Sequence, residues 1–96
     1  MIIKIQADFN GIFGNLLCIS HSDTAQDENG AAILLREGQE LLAFDTDEED
    51  NGEPCFLVAR GRAIRSPASI PHASKWCLQI DAQGIRHVKT LEDALH

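Results

Sequence analysis

The sequence predicts an all-β fold, a small antiparallel barrel or half-open barrel of about six strands with a short C-terminal helical turn. Apolar and polar residues alternate with a period of two along most of the chain, which is typical of half-buried strands. Turn residues interrupt this pattern at short intervals, and Gly61 lies inside the longest strand pattern. Small antiparallel domains hide their strand edges by closing or nearly closing the sheet, so we expect an SH3-like or OB-like barrel.

Length and composition are those of one domain spanning residues 1–96. The chain is 44% hydrophobic and 24% charged, which is enough for one modest core. No apolar run approaches the roughly 18 residues that a membrane span needs, and the N-terminus becomes polar too soon for a signal peptide. We therefore expect a cytoplasmic protein that makes no membrane contact.

The first half of the chain shows four strand patterns around one long polar segment. In the first strand Ile3, Ile5, Ala7 and Phe9 share a face, and Asn10-Gly11 then turns the chain. The remaining predicted elements are a strand over 13–20, a long exposed loop over 20–30, and two short strands, 31–36 and 40–45, on either side of a turn at Glu37-Gly38.

The second half begins with an acidic hairpin tip over 45–53. The longest strand pattern follows over 55–65, and we expect it to bend near Gly61. Asp81-Ala82-Gln83-Gly84 has the composition of a hairpin turn, which predicts that 75–81 pairs with 85–90. In that hairpin Trp76, Leu78, Ile80 and Val88 would face the core, and Gln79 and His87 would face outward. Thr90 and Asp93 have the spacing of a capping box, which predicts one closing helical turn.

The acidic tip contains six carboxylates among nine residues and raises the question of a calcium site. Asp47, Glu49, Asn51 and Gly52 match the first half of a calcium-binding loop. The position of the bidentate glutamate, however, is Val58, inside a predicted strand. A charged tip that resists association between sheet edges is the favoured interpretation.

Three cysteines offer a second candidate constellation. Cys18, Cys55 and Cys77 are an odd number without paired spacing, and each has apolar neighbours, which indicates reduced, buried thiols. With His21, His72 and His87 they could form a zinc site if separate strands brought them together. Cys18 and His21 could alternatively serve as nucleophile and base, provided that the strand ends between them.

Charge is distributed unevenly along the chain. The net charge is −7, which disfavours nucleic acid as a partner, and few aromatic residues are spare for base stacking. Residues 60–90 nevertheless hold six basic residues and one acid, a net of +5, against −12 for the rest. Arg60 and Arg62 alternate with small residues, so both can project from one strand face as a docking surface for an acidic or phosphorylated partner. A solvated face paired with nearby acids is the alternative.

The connection over 66–74 contains two prolines and leads into Trp76. Trp76 can plug one end of the barrel or form the wall of a groove together with Ile70 and His72. Exposure of the indole would distinguish these roles.

These observations favour a non-catalytic binding or adaptor module without a cofactor, whose partner is another protein or a peptide. Its predicted binding residues are Arg60, Arg62, Ile70, His72 and Trp76. The alternatives are a zinc or calcium site, a thiol-based activity, and an acidic inhibitor of a basic partner. The ligand and the oligomeric state are not predictable from the sequence.

Overall fold

The computed structural model describes residues 2–70 and 74–95, and strands dominate it. Eight strands and one 3₁₀ turn follow in chain order: β1 Ile3–Gln6, β2 Ile12–Phe13, β3 Leu16–Ser20, β4 Thr24–Gln26, β5 Ala32–Leu34, β6 Glu40–Glu48, β7 Pro54–Arg65, β8 Trp76–Val88, and the C-terminal turn Glu92–Leu95. The predicted all-β class is confirmed. In the described part of the chain, no helix is long and apolar enough to cross a membrane.

Six strands form one mixed sheet in the order β1-β6-β7-β8-β3-β2, and β4 and β5 form a separate antiparallel pair. β1 runs parallel to β6, with Ile3 opposite Leu41 and Gln6 opposite Phe44. The other paired strands of this sheet are antiparallel. β1 and β2 occupy opposite edges, so of the predicted closed or half-open barrel the closed form is wrong, and the parallel β1–β6 pair departs from the predicted antiparallel arrangement. The two-residue β2 is too short to extend the sheet towards β1.

β1 confirms most of its predicted alternation. Ile5, Ala7 and Phe9 are buried, whereas Ile3 is 36% exposed because β1 is an edge strand. Lys4 points to the other side and pairs with Glu28, with Nζ 3.2 Å from Oε2. This contact joins the edge strand to the turn between β4 and β5.

Two predicted elements in the first half differ from the structure. The expected strand over 13–20 is divided by the turn Gly14-Asn15, where Gly14 has a φ of 63°, so that β2 folds back on β3. The expected exposed loop over 20–30 contains β4, whose Ala25 is buried. A short strand such as β4 contains a single apolar residue, so its sequence shows no alternation of apolar and polar residues. Its strand conformation depends on pairing with β5, which the sequence does not reveal.

β6 and β7 form the long central hairpin, paired from Glu40 with Arg62 to Glu48 with Pro54. The predicted acidic tip closes it: Glu49 N–H donates to Glu53 O and Gly52 has a φ of 83°. The predicted bend of β7 near Gly61 stays a prediction, because β7 pairs with β6 without a register shift through Gly61. The β7–β8 register does shift between Ala59 and Gly61, but the extra residues belong to β8.

β8 overturns the predicted hairpin over 75–90. Trp76–Val88 is one strand, and both of its halves pair with β7. The turn chemistry is nevertheless present, because Asp81 Oδ1 accepts the Gln83 N–H at 3.0 Å and Gly84 has a φ of 67°. Residues 81–84 bulge out opposite Arg60, since Ala59 pairs with Ile85 and Gly61 with Ile80. Pairing of both halves of β8 with the long strand β7 is therefore favoured over pairing of 75–81 with 85–90.

Apolar residues are buried on both faces of the sheet. On one face a large cluster that includes Trp76 and Leu78 packs beneath Ala25 and Leu35 of the β4–β5 region. On the other face the C-terminal turn brings Ala94 onto Leu42, Phe44 and Val58, with Val88 at the margin of this second cluster. The predicted capping box is confirmed, because Thr90 N–H donates to Asp93 Oδ2 and Asp93 N–H donates to Thr90 Oγ1, each at 3.3 Å.

Candidate functional site

The predicted arginines Arg60 and Arg62 line an open pocket of about 310 Å³ beside the point where the β7–β8 register shifts. Both side chains project from the same face of β7 because they are two residues apart. Gly61 lies between them, with its backbone against Gln79 of β8. The other lining residues are Asn15, Glu40, Gln79, Ile80 and Asp81.

Most charges around this pocket already have partners. Arg62 Nη2 lies 3.3 Å from Glu40 Oε1, and both side chains are more than half exposed. Asp81 is engaged by the Gln83 N–H. Arg60 is half-buried, and its side chain makes no hydrogen bond or ion pair to the part of the chain that the structure describes. The pocket therefore presents one unpaired guanidinium and one weakly held one.

Trp76 lies on the opposite face of the sheet from Arg60 and Arg62. It is 3% exposed, its Nε1–H donates to Asp23 Oδ1 at 3.2 Å, and the Arg65 guanidinium lies 4.6 Å from the ring centroid. Burial and these two contacts are what a structural plug requires. An enclosed indole offers little surface to a ligand, so the structure separates Trp76 from the arginine pocket.

The connection after β7 holds the remaining predicted binding residues. Ile70 is half-buried and its N–H donates to Pro67 O at 3.1 Å in a tight turn. His72 lies outside the described residues. Ser74 anchors the end of the connection, since its Oγ donates to Trp76 O at 2.8 Å and to Ser20 O at 3.2 Å.

Two of the three cysteines meet. Cys18 and Cys77 are opposite each other on β3 and β8, with their Sγ atoms 4.0 Å apart, and Cys77 Sγ lies 3.2 Å from Ser66 Oγ. Cys77 is buried as predicted, but Cys18 is only half-buried, so the expectation of three buried thiols is wrong for Cys18. His21 is exposed just beyond the end of β3 at Ser20.

Cys55 lies apart, at the start of β7 near the acidic tip. It is 2% exposed, and burial, reinforced by the carboxylates Asp47, Glu49 and Glu48, raises the pKa of its thiol. Across residues 2–70 and 74–95, no three histidine, cysteine or carboxylate side chains are close enough to hold one metal ion. The zinc and calcium alternatives therefore gain no support.

The sequence could not identify the neutral members of the pocket. Asn15 belongs to the β2–β3 turn and Gln79 to β8, and only the sheet register brings them beside Arg60. The Asp23 partner of Trp76 was missed for the same reason, since the two residues are 53 positions apart.

Comparison with protein-family models, curated proteins and solved structures found no match to this chain.

Proposed function

We propose that this chain is a non-catalytic binding module that captures an acidic segment of a protein partner at the pocket of Arg60 and Arg62. The observation that carries the proposal is the Arg60 guanidinium, which lines an open pocket and has no partner within the described residues. Guanidinium groups bind carboxylates through two parallel hydrogen bonds, so a glutamate or aspartate of the partner suits this position.

The neighbouring contacts support the same ligand chemistry. The Arg62–Glu40 pair is exposed on both sides, and such pairs contribute only about 0–1 kcal/mol, so a ligand carboxylate can replace Glu40 at little cost. Asn15 and Gln79 supply amide N–H donors at the pocket wall. The +5 charge of residues 60–90 attracts an acidic segment locally within the Debye length, although the whole chain is acidic.

An SH3-like or OB-like barrel relationship is part of this proposal. The length of β7 supports it, since a twelve-residue strand paired with both β6 and β8 can serve both sides of a small half-open barrel. The proposal leaves Trp76 out of the ligand site, because Trp76 is buried on the opposite face of the sheet. Ile70 and His72 stay predicted binding residues.

The test measures the binding of a short oligo-glutamate peptide by titration calorimetry at low salt. The variant Arg60→Ala with Arg62→Ala should bind about tenfold more weakly or not at all, because a hydrogen bond to a charged group contributes about 1.5–3 kcal/mol. The matched control is Arg36→Ala with Lys89→Ala, which removes the same charge from two exposed positions and should bind as the wild type does.

Equal weakening in both double variants would show that only net charge matters and would overturn the proposal. Unchanged binding in the Arg60 and Arg62 variant would place the site elsewhere. Circular dichroism of each variant establishes that the sheet is intact, so that a loss of binding reports on the pocket itself.

A further inference from the structure

Cys18 and Cys77 face each other on neighbouring strands at the type of position where facing side chains come closest together. The Cys18 N–H donates to Gly11 O at 2.9 Å, on the side of β3 away from β8. The two thiols therefore belong to a non-hydrogen-bonded pair, in which facing Cα atoms are about 4.5 Å apart and side chains approach most closely. Disulfides span Cα separations of about 4.4–6.8 Å, so the backbone already has the required spacing.

The two thiols differ in access. Cys18 is half-buried and open to solvent on one side, whereas Cys77 is completely buried. Burial raises the pKa of the Cys77 thiol, and the hydrogen bond with Ser66 opposes this rise. A dissolved reagent can thus reach Cys18 first, and Cys77 reacts only through its neighbour.

We propose that Cys18 and Cys77 form a dithiol site that exchanges with small dissolved disulfides of the glutathione class and closes to a cross-strand disulfide. This site is independent of the arginine pocket. It differs from an isolated cysteine because the second thiol, 4.0 Å away, resolves the adduct formed on the first.

The exchange has two steps. The Cys18 thiolate attacks one sulfur of glutathione disulfide, a Cys18–glutathione bond forms, and the first glutathione leaves as a thiolate that takes up the proton lost by Cys18. Cys77 then loses its proton and attacks the Cys18 sulfur, which forms the internal bond and releases the second glutathione. The protein loses two electrons and two protons, and glutathione disulfide gains them as two thiols.

Ser66 has a defined part in the second step. Its Oγ lies 3.2 Å from Cys77 Sγ and can donate its hydrogen to the thiolate that forms there. The sulfur atoms must approach from 4.0 Å to about 2.05 Å, which side-chain rotation supplies because the strands are already close. The bond would fasten β3, and with it the edge strand β2, to β8.

The experiment treats the reduced, purified chain with glutathione disulfide and follows its intact mass. We expect a species lighter by two hydrogen atoms with no glutathione attached, a peptide map that links Cys18 to Cys77, and a higher melting temperature that dithiothreitol reverses. Cys55→Ser is the matched control and should oxidise as the wild type does, because Cys55 lies away from the pair.

Two variants separate the roles of the thiols. Cys77→Ala should accumulate a single stable glutathione adduct on Cys18, and Cys18→Ala should remain unmodified over the same time. A stable adduct on wild-type Cys18, no reaction at all, or a link that involves Cys55 would overturn the proposal. If either variant fails to fold, the wild-type peptide map alone decides between these results.

Discussion

Asp23 shows how one side chain joins distant parts of this molecule. Its carboxylate accepts the Trp76 indole N–H and lies 3.0 Å from Lys75 Nζ, while its backbone carbonyl accepts the Leu35 N–H at 2.8 Å. The hydrogen bond from Lys75, followed by that from Trp76, holds the pKa of Asp23 below its ordinary value of 3.8. Folding therefore favours the ionised carboxylate.

This lowered pKa gives a prediction for Asp23→Asn. Because the folded pKa is below 3.8, the stabilisation by Asp23 is fully present above that value and is lost as the pH falls through the folded pKa. The variant should be less stable than the wild type at pH 6, and the difference should shrink towards pH 3. The asparagine oxygen still accepts the indole N–H, so the geometry is retained.

Urea unfolding followed by the fluorescence of Trp76, the single tryptophan of the chain, measures this difference. Asp27→Asn is a suitable control because it removes another acid of the same region. A difference between wild type and Asp23→Asn that is equal at both pH values would show that charge on Asp23 does not contribute.

At the scale of elements, the β7–β8 pair depends on the missing side chain of Gly61. A Cβ built there overlaps the backbone carbonyl of Gln79, and a paired backbone cannot move aside as a flexible side chain does. Gly61→Ala should therefore destabilise the protein by about 3 kcal/mol, at the upper end of overpacking costs. Thermal unfolding measures this loss.

Gly52→Ala provides the comparison. Gly52 has a φ of 83° and open space around its Cβ position, so this variant meets backbone strain alone, about 1–2 kcal/mol. Equal losses in the two variants would mean that the β7–β8 contact at Gly61 relaxes easily.

Local signals and long-range pairing explain which elements the sequence could predict. The alternation of β1, the acidic tip and the capping box at Thr90 are encoded within a few residues, and the structure confirms them. The Asp81–Gly84 segment also has its predicted turn chemistry, but the twelve-residue β7 pairs with both flanks and prevents the hairpin. The alternation of apolar and polar residues and the composition of turns do not show which distant strand a segment pairs with.

The candidate sites divide in the same way. Period two places Arg60 and Arg62 on one strand face, and both line the pocket. Alternation along β8, combined with its pairing to β7, places Trp76 on the opposite face. The predicted hairpin over 75–90 did not include this pairing, so the sequence alone could not assign the face. The meeting of Cys18 with Cys77 depends on the β3–β8 register, and no local pattern contains it.

For the whole molecule, the acidic tip is an electrostatic feature with little part in the core. Replacement of Glu48, Glu49 and Asp50 by serine changes the net charge from −7 to −4 and removes exposed or half-exposed side chains. We expect the melting temperature to change by about 2 °C or less, with a slight rise at low salt because self-repulsion decreases.

Calorimetry at two salt concentrations, with and without calcium, checks this expectation. Serine replacement of Glu37 and Glu40 is the control, because it also removes acids but breaks the ion pair with Arg62. A calcium-dependent rise in the wild-type melting temperature that the tip variant lacks would reveal a cation site there.

The parallel pairing of β1 with β6 has a consequence for the order of folding. β1 leaves the ribosome long before β6, with Ile3 preceding its partner Leu41 by 38 residues. The β6–β7 hairpin closes through a short loop, so its contacts form at low entropic cost, whereas docking of β1 requires a far longer loop to close. β1 is therefore synthesised before β6 but docks after the β6–β7 hairpin has formed, and until then Ile5 and one edge of β6 are exposed to other nascent chains.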